Sequence, residues 1–307
     1  MKVLVATEKP FAPIAIEGIK KGFNTEKDIE LVLLEKYTSK AELLNAVGDA
    51  TALIVRSDKI DKEVLEAAPL LRLVVRAGAG YDNIDLETAT QQNVVVMNTP
   101  GQNANAVAEL VFGLLVYAVR GFYNGKSGTE LKDKKLGILA YGNVGKNVAR
   151  IAKGFGMDVY AFDAFCPSDI IAQSGVTPVS SSEELFATCD VVSLHIPATA
   201  ETKQSINYQL VNKMKPGAVL VNTARKEIIN EAELLQLMNE RTDLKFVTDI
   251  MPDKHAEFLA QCADRYFSTP KKMGAQTAEA NVNAGIAAAE QILAFIREGC
   301  TKFQVNK

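Results

Sequence analysis

Cysteine is scarce. Cys166, Cys189, Cys262 and Cys300 are scattered, with no C-x-x-C pair and no histidine at zinc-site spacing, so neither a metal site nor a disulfide framework is indicated. Excess charge is also lacking. The 34 Lys and Arg against 37 Asp and Glu leave −3, which makes phosphate-backbone binding to nucleic acid a poor default. Gly and Pro number only 20 and 10, too few for a low-complexity or collagen-like chain. No long apolar run opens the chain, so no signal peptide is expected. The longest apolar stretch, 106–119, is interrupted by Glu109 and too short to span a bilayer. A cytoplasmic protein with no nucleic-acid or membrane partner is the expectation. Its 307 residues, 48% hydrophobic and 23% charged, suggest two ordinary globular domains.

Short apolar runs alternate with amphipathic stretches such as 14–21 and 41–46. In the first third the expected strands are 2–6, 30–34, 52–56, 71–75 and 94–98. From Lys135 the pattern returns, with strands at 136–140, 158–162, 191–195, 218–222 and 246–249. Such alternation predicts βαβ units and parallel sheets. The expected class is α/β, two doubly wound parallel-sheet lobes joined at the turn-rich Asn98-Thr99-Pro100-Gly101. Long helices are expected over 103–120 and 278–298, the second ending at Gly299. The last helix is expected to return to the first lobe, giving lobes 1–98 plus 278–307, and 99–277.

The strongest local motif is Ala140-Tyr141-Gly142-Asn143-Val144-Gly145, between a strand and a helix. It is the G-x-G-x-x-G dinucleotide fingerprint with Ala140 at the first glycine. Gly142 would let the backbone approach a pyrophosphate, Gly145 would let the helix pack close, and the helix N-terminus would face the anion. Asp163 closes the next strand, 21 positions after Gly142, where a carboxylate meets ribose hydroxyls. Ala164 and Phe165 supply no cation for a 2′-phosphate, which favours NAD over NADP. Glycines serving only to pack a plain βαβ turn are the blander alternative. A P-loop is excluded, because Asn147 follows the G-K pair. Arg225, at the carboxyl end of a strand, stands where doubly wound sheets place ligands and has the fork to hold a carboxylate. In isolation it would pass for a surface arginine.

The chain resembles the D-2-hydroxyacid dehydrogenase family. The resemblance rests on Arg76-Ala77-Gly78-Ala79-Gly80-Tyr81-Asp82-Asn83-Ile84-Asp85, Met97-Asn98-Thr99-Pro100, Ala106-Val107-Ala108-Glu109 and the fingerprint. Further matches are Ser193-Leu194-His195-Ile196-Pro197, Asn222-Thr223-Ala224-Arg225, Thr269-Pro270 and Met273-Gly274-Ala275-Gln276-Thr277. It is closest to the branch that oxidises 3-phospho-D-glycerate to 3-phosphohydroxypyruvate, the first step of serine biosynthesis. It implies a flavodoxin-like substrate lobe and a Rossmann NAD-binding lobe that close on substrate and exclude water. Gly78, Ala79 and Gly80 would offer N–H groups to the substrate carboxylate. Arg225 would bind the 2-oxo or 2-hydroxy group and touch the cofactor. Asn143, Val144, Asp163, Pro197, Thr223, Ala224, Asp249, Gly274 and Ala275 would line NAD beside Gly142 and Gly145. Arg56, Ser57, Lys59 and Arg76 would converge on the phosphate. A homodimer through helix 103–120 is also implied.

The chain departs from that pattern. The family's acid/base histidine position holds Lys272, with Lys271 inserted before it. The partner glutamate position holds Lys254, unless a small shift lets Asp253 fill in. A lysine starts near 10.4 and needs neighbouring cations (Arg225, Lys271, Lys254) and burial to work near neutrality. The shift is about 3 units, roughly 4 kcal/mol. Lys272 is the expected acid/base. Lys271, His255 or a merely solvated lysine pair are the alternatives, and His195 is expected to be structural. The segment 121–135 is shorter than the family's, which puts part of the dimer contact in question. The chain ends at Lys307 without the regulatory domain, so no inhibition by serine is expected. The rival readings are a hydroxypyruvate or glyoxylate reductase and a non-catalytic NAD-binding corepressor.

Overall fold

The computed structural model describes residues 1–24 and 26–307. The chain divides into two compact units, Met1–Asn103 with Thr277–Lys307, and Ala104–Gln276. The first unit runs five residues beyond Asn98. Part of the reason is that the Thr99 N–H donates to the Gly78 carbonyl at 3.0 Å, tying the turn to this unit.

In the first unit strands and helices alternate as β1 (Lys2–Thr7), α1 (Pro13–Phe23), β2 (Glu30–Glu35), α2 (Lys40–Val47), β3 (Ala52–Val55), α3 (Lys62–Glu66), β4 (Leu73–Arg76), α4 (Leu86–Gln91) and β5 (Val95–Asn98). The sheet is parallel, in order β2-β1-β3-β4-β5, which is the flavodoxin-like order. Strand β3 is apolar along its length, and β4 up to its last residue, Arg76, because helices cover both faces.

The second unit holds α5 (Ala104–Val119), β6 (Lys135–Leu139), α6 (Asn143–Gly154), β7 (Asp158–Phe162), α7 (Ser168–Gln173), β8 (Thr177–Pro178), α8 (Ser182–Thr188) and β9 (Val191–Leu194). It continues with α9 (Tyr208–Val211), β10 (Val219–Asn222), α10 (Glu231–Glu240), β11 (Lys245–Thr248), α11 (His255–Cys262) and β12 (Tyr266–Ser268). Its strand order is β12-β11-β10-β9-β6-β7-β8, again parallel. The run β8-β7-β6-β9-β10-β11 is the Rossmann order, with its switch point between β6 and β9. Strands β8 and β12 were not expected. They have two and three residues, and β8 contains Pro178, which only an edge strand tolerates.

Helix α5 is apolar nearly all round. Val111, Phe112, Leu115 and Ala118 are buried in a core shared with Leu136 and Val148 of its own unit. The last helix, α12 (Ala278–Glu298), belongs to the first unit and packs on α1. Contact is close at Gly18, where a Cβ would stand 2.7 Å from Ile286. Gly299, at φ 66°, ends α12 in the left-handed conformation.

Candidate active site

The turn from β6 to α6 fixes the first part of the site. Ala140 adopts φ 79°, the left-handed region that the fingerprint reserves for its first glycine. Gly142 caps α6 with no side-chain hydrogen bond, and a Cβ there would meet nothing within 4 Å. The first-turn N–H groups, around exposed Asn143 and half-buried Val144, therefore face open space. Gly145 is different: a Cβ would stand 2.4 Å from the Ala140 carbonyl oxygen, so the helix lies tight on the strand. Asp163, just past β7, accepts from the Tyr141 N–H at 2.6 Å and from the Phe165 and Cys166 N–H groups at 2.8 Å. It locks the glycine turn to the next turn, with one lone pair, on Oδ2, left for a hydroxyl donor.

Two further strands end on the same edge of this sheet. Past β9, His195 shares a 2.9 Å hydrogen bond with Ser193 Oγ. Burial pushes its pKa down to about 3, so the ring is neutral. The Pro197 carbonyl is taken by Thr202. Past β10, buried Asn222 accepts from the Ala224 N–H at 3.0 Å and donates to the Arg225 carbonyl at 2.9 Å. This pins the Thr223-Ala224-Arg225 turn. Thr223 Oγ1 is buried and has no hydrogen-bond partner among the described residues.

Past β11, Asp249 is fully buried. Burial raises its pKa, opposed by the Gly274 N–H, Lys272, the Met273 N–H and Arg225. Asp249 Oδ2 accepts from Gly274 N–H at 2.7 Å, and a Cβ on Gly274 would stand 2.8 Å from that oxygen. Thr269 Oγ1 bridges the Asp249 and Lys271 carbonyls at 3.0 and 2.7 Å. The loop carrying Lys272 is thus fastened to the end of β11. Lys272 Nζ donates to the Ala224 carbonyl at 3.0 Å, and Arg225 Nη1 donates to the same oxygen at 2.9 Å. One acceptor therefore gathers both cations where three strands end, and a buried carboxylate couples to both.

The model of the D-isomer-specific 2-hydroxyacid dehydrogenase NAD-binding domain matches residues 118–270. The chain is 34% identical over 281 residues to hydroxypyruvate reductase of Thermotoga maritima, covering 86% of this chain and 90% of that protein. It is 35% identical over 285 residues to D-3-phosphoglycerate dehydrogenase of Methanocaldococcus jannaschii, covering 87% of this chain and 54% of that protein. The NAD⁺-bound crystal structure of 3-phosphoglycerate dehydrogenase from Entamoeba histolytica superimposes with a TM-score of 0.89. It is 47% identical, with 100% of this chain and 99% of that one covered. The chain belongs to the D-2-hydroxyacid dehydrogenase family. It spans about half the length of several of the curated D-3-phosphoglycerate dehydrogenases that it matches.

For a member of this dehydrogenase family, the second unit fits NAD. The open N-terminus of α6, the carboxylate after β7, and the buried Thr223 hydroxyl lie on one sheet edge. The substitutes considered for the family's missing groups are committed elsewhere. Asp253 pairs with Lys226, and its N–H donates to Glu231 at 3.1 Å. Asp253 does not replace the absent glutamate on Lys272. Lys254 Nζ pairs with Glu257 at 2.9 Å and its N–H donates to Glu231 at 2.8 Å. His255 opens α11 and shares a 2.8 Å bond with the Tyr266 hydroxyl, a structural contact. The expectation that neighbouring cations and burial act on Lys272 is corrected: Lys272 is exposed, Lys254 is drawn off to Glu257, and the buried group coupled to Lys272 is the carboxyl of Asp249. Glu231, which receives both N–H groups of the loop after β11, went unnoticed in the sequence. Its only cue is that it follows Asn230, the N-cap of α10.

In the first unit, Gly78 has φ 148° and a Cβ there would stand 1.4 Å from Arg76 Nη1. The Arg76 guanidinium therefore lies over the glycine loop. The Asn98 amide donates to the Ala79 carbonyl at 2.6 Å, and half-buried Gly80 follows. Arg56 does not join Arg76. Its Nη1 donates to the Lys9 and Pro10 carbonyls at 3.2 and 3.0 Å and its Nη2 to Asn281, with the guanidinium 5.2 Å from the Phe11 ring centre. Ser57 is exposed. Lys59 stands 4.0 Å from Asp61. The anchor of this corner is Asp58, 3% exposed, accepting from the Glu8 and Arg56 N–H groups and the Tyr37 hydroxyl at 2.7, 3.1 and 2.8 Å. Desolvation by burial and then this hydrogen bond raise the Tyr37 pKa. Among the described residues no cluster of His, Cys, Asp and Glu could hold a metal. No described helix is long and apolar enough to cross a membrane.

Proposed function

We propose that the protein is an NAD-dependent dehydrogenase that oxidises 3-phospho-D-glycerate to 3-phosphohydroxypyruvate, at the start of serine biosynthesis. The observation that carries this reading is the convergence of Lys272 and Arg225 on the Ala224 carbonyl. It joins a proton carrier to a carboxylate-binding fork on the sheet edge where the nucleotide turn lies. The same reading is supported by the 47% identity to a 3-phosphoglycerate dehydrogenase along the whole chain.

NAD⁺, when bound, takes up the hydride from C2 of the substrate. The N-terminus of α6, with Gly142, Asn143, Val144 and Gly145, holds the pyrophosphate, and Asp163 the adenosine ribose. Pro197, Thr223, Ala224, Asp249, Gly274 and Ala275 line the rest of the cofactor. Arg225 orients the substrate carboxylate and steadies charge developing on the C2 oxygen. Lys272, in its neutral form, takes the hydroxyl proton. Gly78, Ala79 and Gly80 present N–H groups to the substrate, and Arg76 is the cation nearest that loop to meet the phosphate. A cytoplasmic homodimer accompanies this reading. The apolar side of α5 is largely spent inside its own unit, which leaves Asn105, Glu109 and Gly113 exposed on that helix.

Hydroxypyruvate reduction is the second reading. It is favoured by the 34% identity over 281 residues to the Thermotoga maritima reductase and by the commitment of Arg56 to structural bonds. Initial rates of NADH formation with 3-phospho-D-glycerate, D-glycerate and D-lactate decide between them. The first reading requires kcat/KM for the phosphorylated acid to exceed that for D-glycerate by at least about 100-fold, roughly 2.7 kcal/mol. Equal values would leave the reductase.

A further inference from the structure

The first unit contains a hollow of about 260 Å³. Its apolar lining comes from Met97 at the end of β5, Ala287 and Ala294 on α12, and Phe303 beyond it. Glu290 and Lys302 line it too and are exposed. Neither enters an ion pair or hydrogen bond with another described residue; the Lys302 ammonium lies 5.4 Å from the Phe303 ring centre. Gln291 also lines the hollow and is 9% exposed. Its Nε2 donates to the Asn98 carbonyl at 3.0 Å. Its Oε1 accepts no hydrogen bond from any described residue. Turning the amide over would set oxygen against the Asn98 carbonyl, so the orientation is fixed by that bond. A buried acceptor left without a donor has lost its water and gained no partner in exchange.

We propose that this hollow is a binding site for a small zwitterion with an apolar side chain, of the α-amino-acid class. Its volume lies just below the ordinary range for ligand pockets, about 300–1,000 Å³, which suits a small metabolite and excludes a nucleotide. The ligand ammonium supplies the donor that Gln291 Oε1 lacks and pairs with Glu290. The ligand carboxylate pairs with Lys302. The apolar side chain lies against Met97, Ala294 and Phe303. A carboxylic acid alone leaves Gln291 unsatisfied, and an amine alone leaves Lys302 unpaired. The site is independent of the proposed dehydrogenase activity.

Titration calorimetry on the full chain, with no cofactor or substrate present, tests this. The probes are L-leucine, L-phenylalanine, isoamylamine, 4-methylpentanoate and glycine. Saturable one-site binding is expected for leucine or phenylalanine, at least about tenfold tighter than for the other three. Lys302→Glu, an exposed change that leaves the core alone, is expected to weaken it about tenfold or more. Ala294→Trp, which fills the hollow, is expected to abolish it. The Gln291 side-chain amide protons of the wild type should shift on titration. The proposal is overturned by no saturable binding up to about 10 mM, by binding that Lys302→Glu leaves unchanged, or by a crystal soaked with leucine that shows only water on Gln291 Oε1.

Discussion

Lys272 and Arg225 donate to one and the same oxygen, the Ala224 carbonyl, at 3.0 and 2.9 Å. Of the two side-chain types, an ammonium can give up its proton in a protein and a guanidinium cannot. His255 is held by Tyr266, and the proposed function gives the proton to Lys272. Lys272→Ala is expected to lower kcat by about 10²–10⁴ while calorimetric NAD⁺ affinity stays within about threefold of wild type. A mutant that turns over like wild type would remove Lys272 from the chemistry.

If Lys272 is the acid/base, Asp249 is the anion placed to act on it. It is buried, and its charge is coupled to both Lys272 and Arg225. An anion beside an ammonium favours the charged form and so raises the lysine pKa. Oxidation needs the neutral amine, so the rate rises as pH passes upward through that pKa. Asp249→Asn removes the anion and keeps an oxygen for the Gly274 N–H. The ascending, acid-side limb of the kcat/KM profile should therefore move to lower pH, by about one unit. An unmoved limb would show that Lys272 is not the titrating group or that Asp249 does not act on it.

The sequence made the sheets legible because buried parallel strands are apolar runs bounded by turns, as in Ala52–Val55 and Val219–Asn222. It could not show β8 or β12, which are too short for any periodicity to register. The resemblance to the family made Lys272 the expected acid/base, and the fold brings it beside Arg225, 47 residues earlier. The partners of Arg56 were invisible. Its guanidinium is held by two loop carbonyls and by Asn281, and a carbonyl acceptor is contributed by backbone, whatever the side chain. The anion acting on Lys272 was missed for a similar reason: Asp249 reads as a cofactor residue until the loop at Gly274 folds onto it.

The two fingerprint glycines have separable roles. A methyl on Gly145 meets the Ala140 carbonyl oxygen at 2.4 Å, whereas one on Gly142 meets nothing within 4 Å. Gly145→Ala should push α6 off β6 and lower the stability to urea by about 1–3 kcal/mol. Gly142→Ala should leave the urea midpoint unchanged within error and still weaken NAD⁺ by at least about tenfold, because the added methyl occupies the approach to the α6 N-terminus. Unchanged NAD⁺ affinity in Gly142→Ala would place the pyrophosphate elsewhere.

Arg56 and Arg76 lie 20 positions apart in sequence and differ in what holds them. Arg56 is fastened by Lys9, Pro10 and Asn281 and lies against Phe11, so its guanidinium is spent on structure. The Arg76 guanidinium lies over Gly78, on the loop expected to receive substrate. If a phosphate binds this unit, Arg76 should meet it. Arg76→Ala is then expected to raise KM for 3-phospho-D-glycerate by about 10–100-fold, the loss of a charge-assisted contact of roughly 1.5–3 kcal/mol. KM for D-glycerate should change by less than about threefold, since that acid has no phosphate to lose. Arg56→Ala should act on stability instead, lowering the urea midpoint with little change in the ratio of the two KM values. The assignment fails if Arg56→Ala moves that ratio and Arg76→Ala does not.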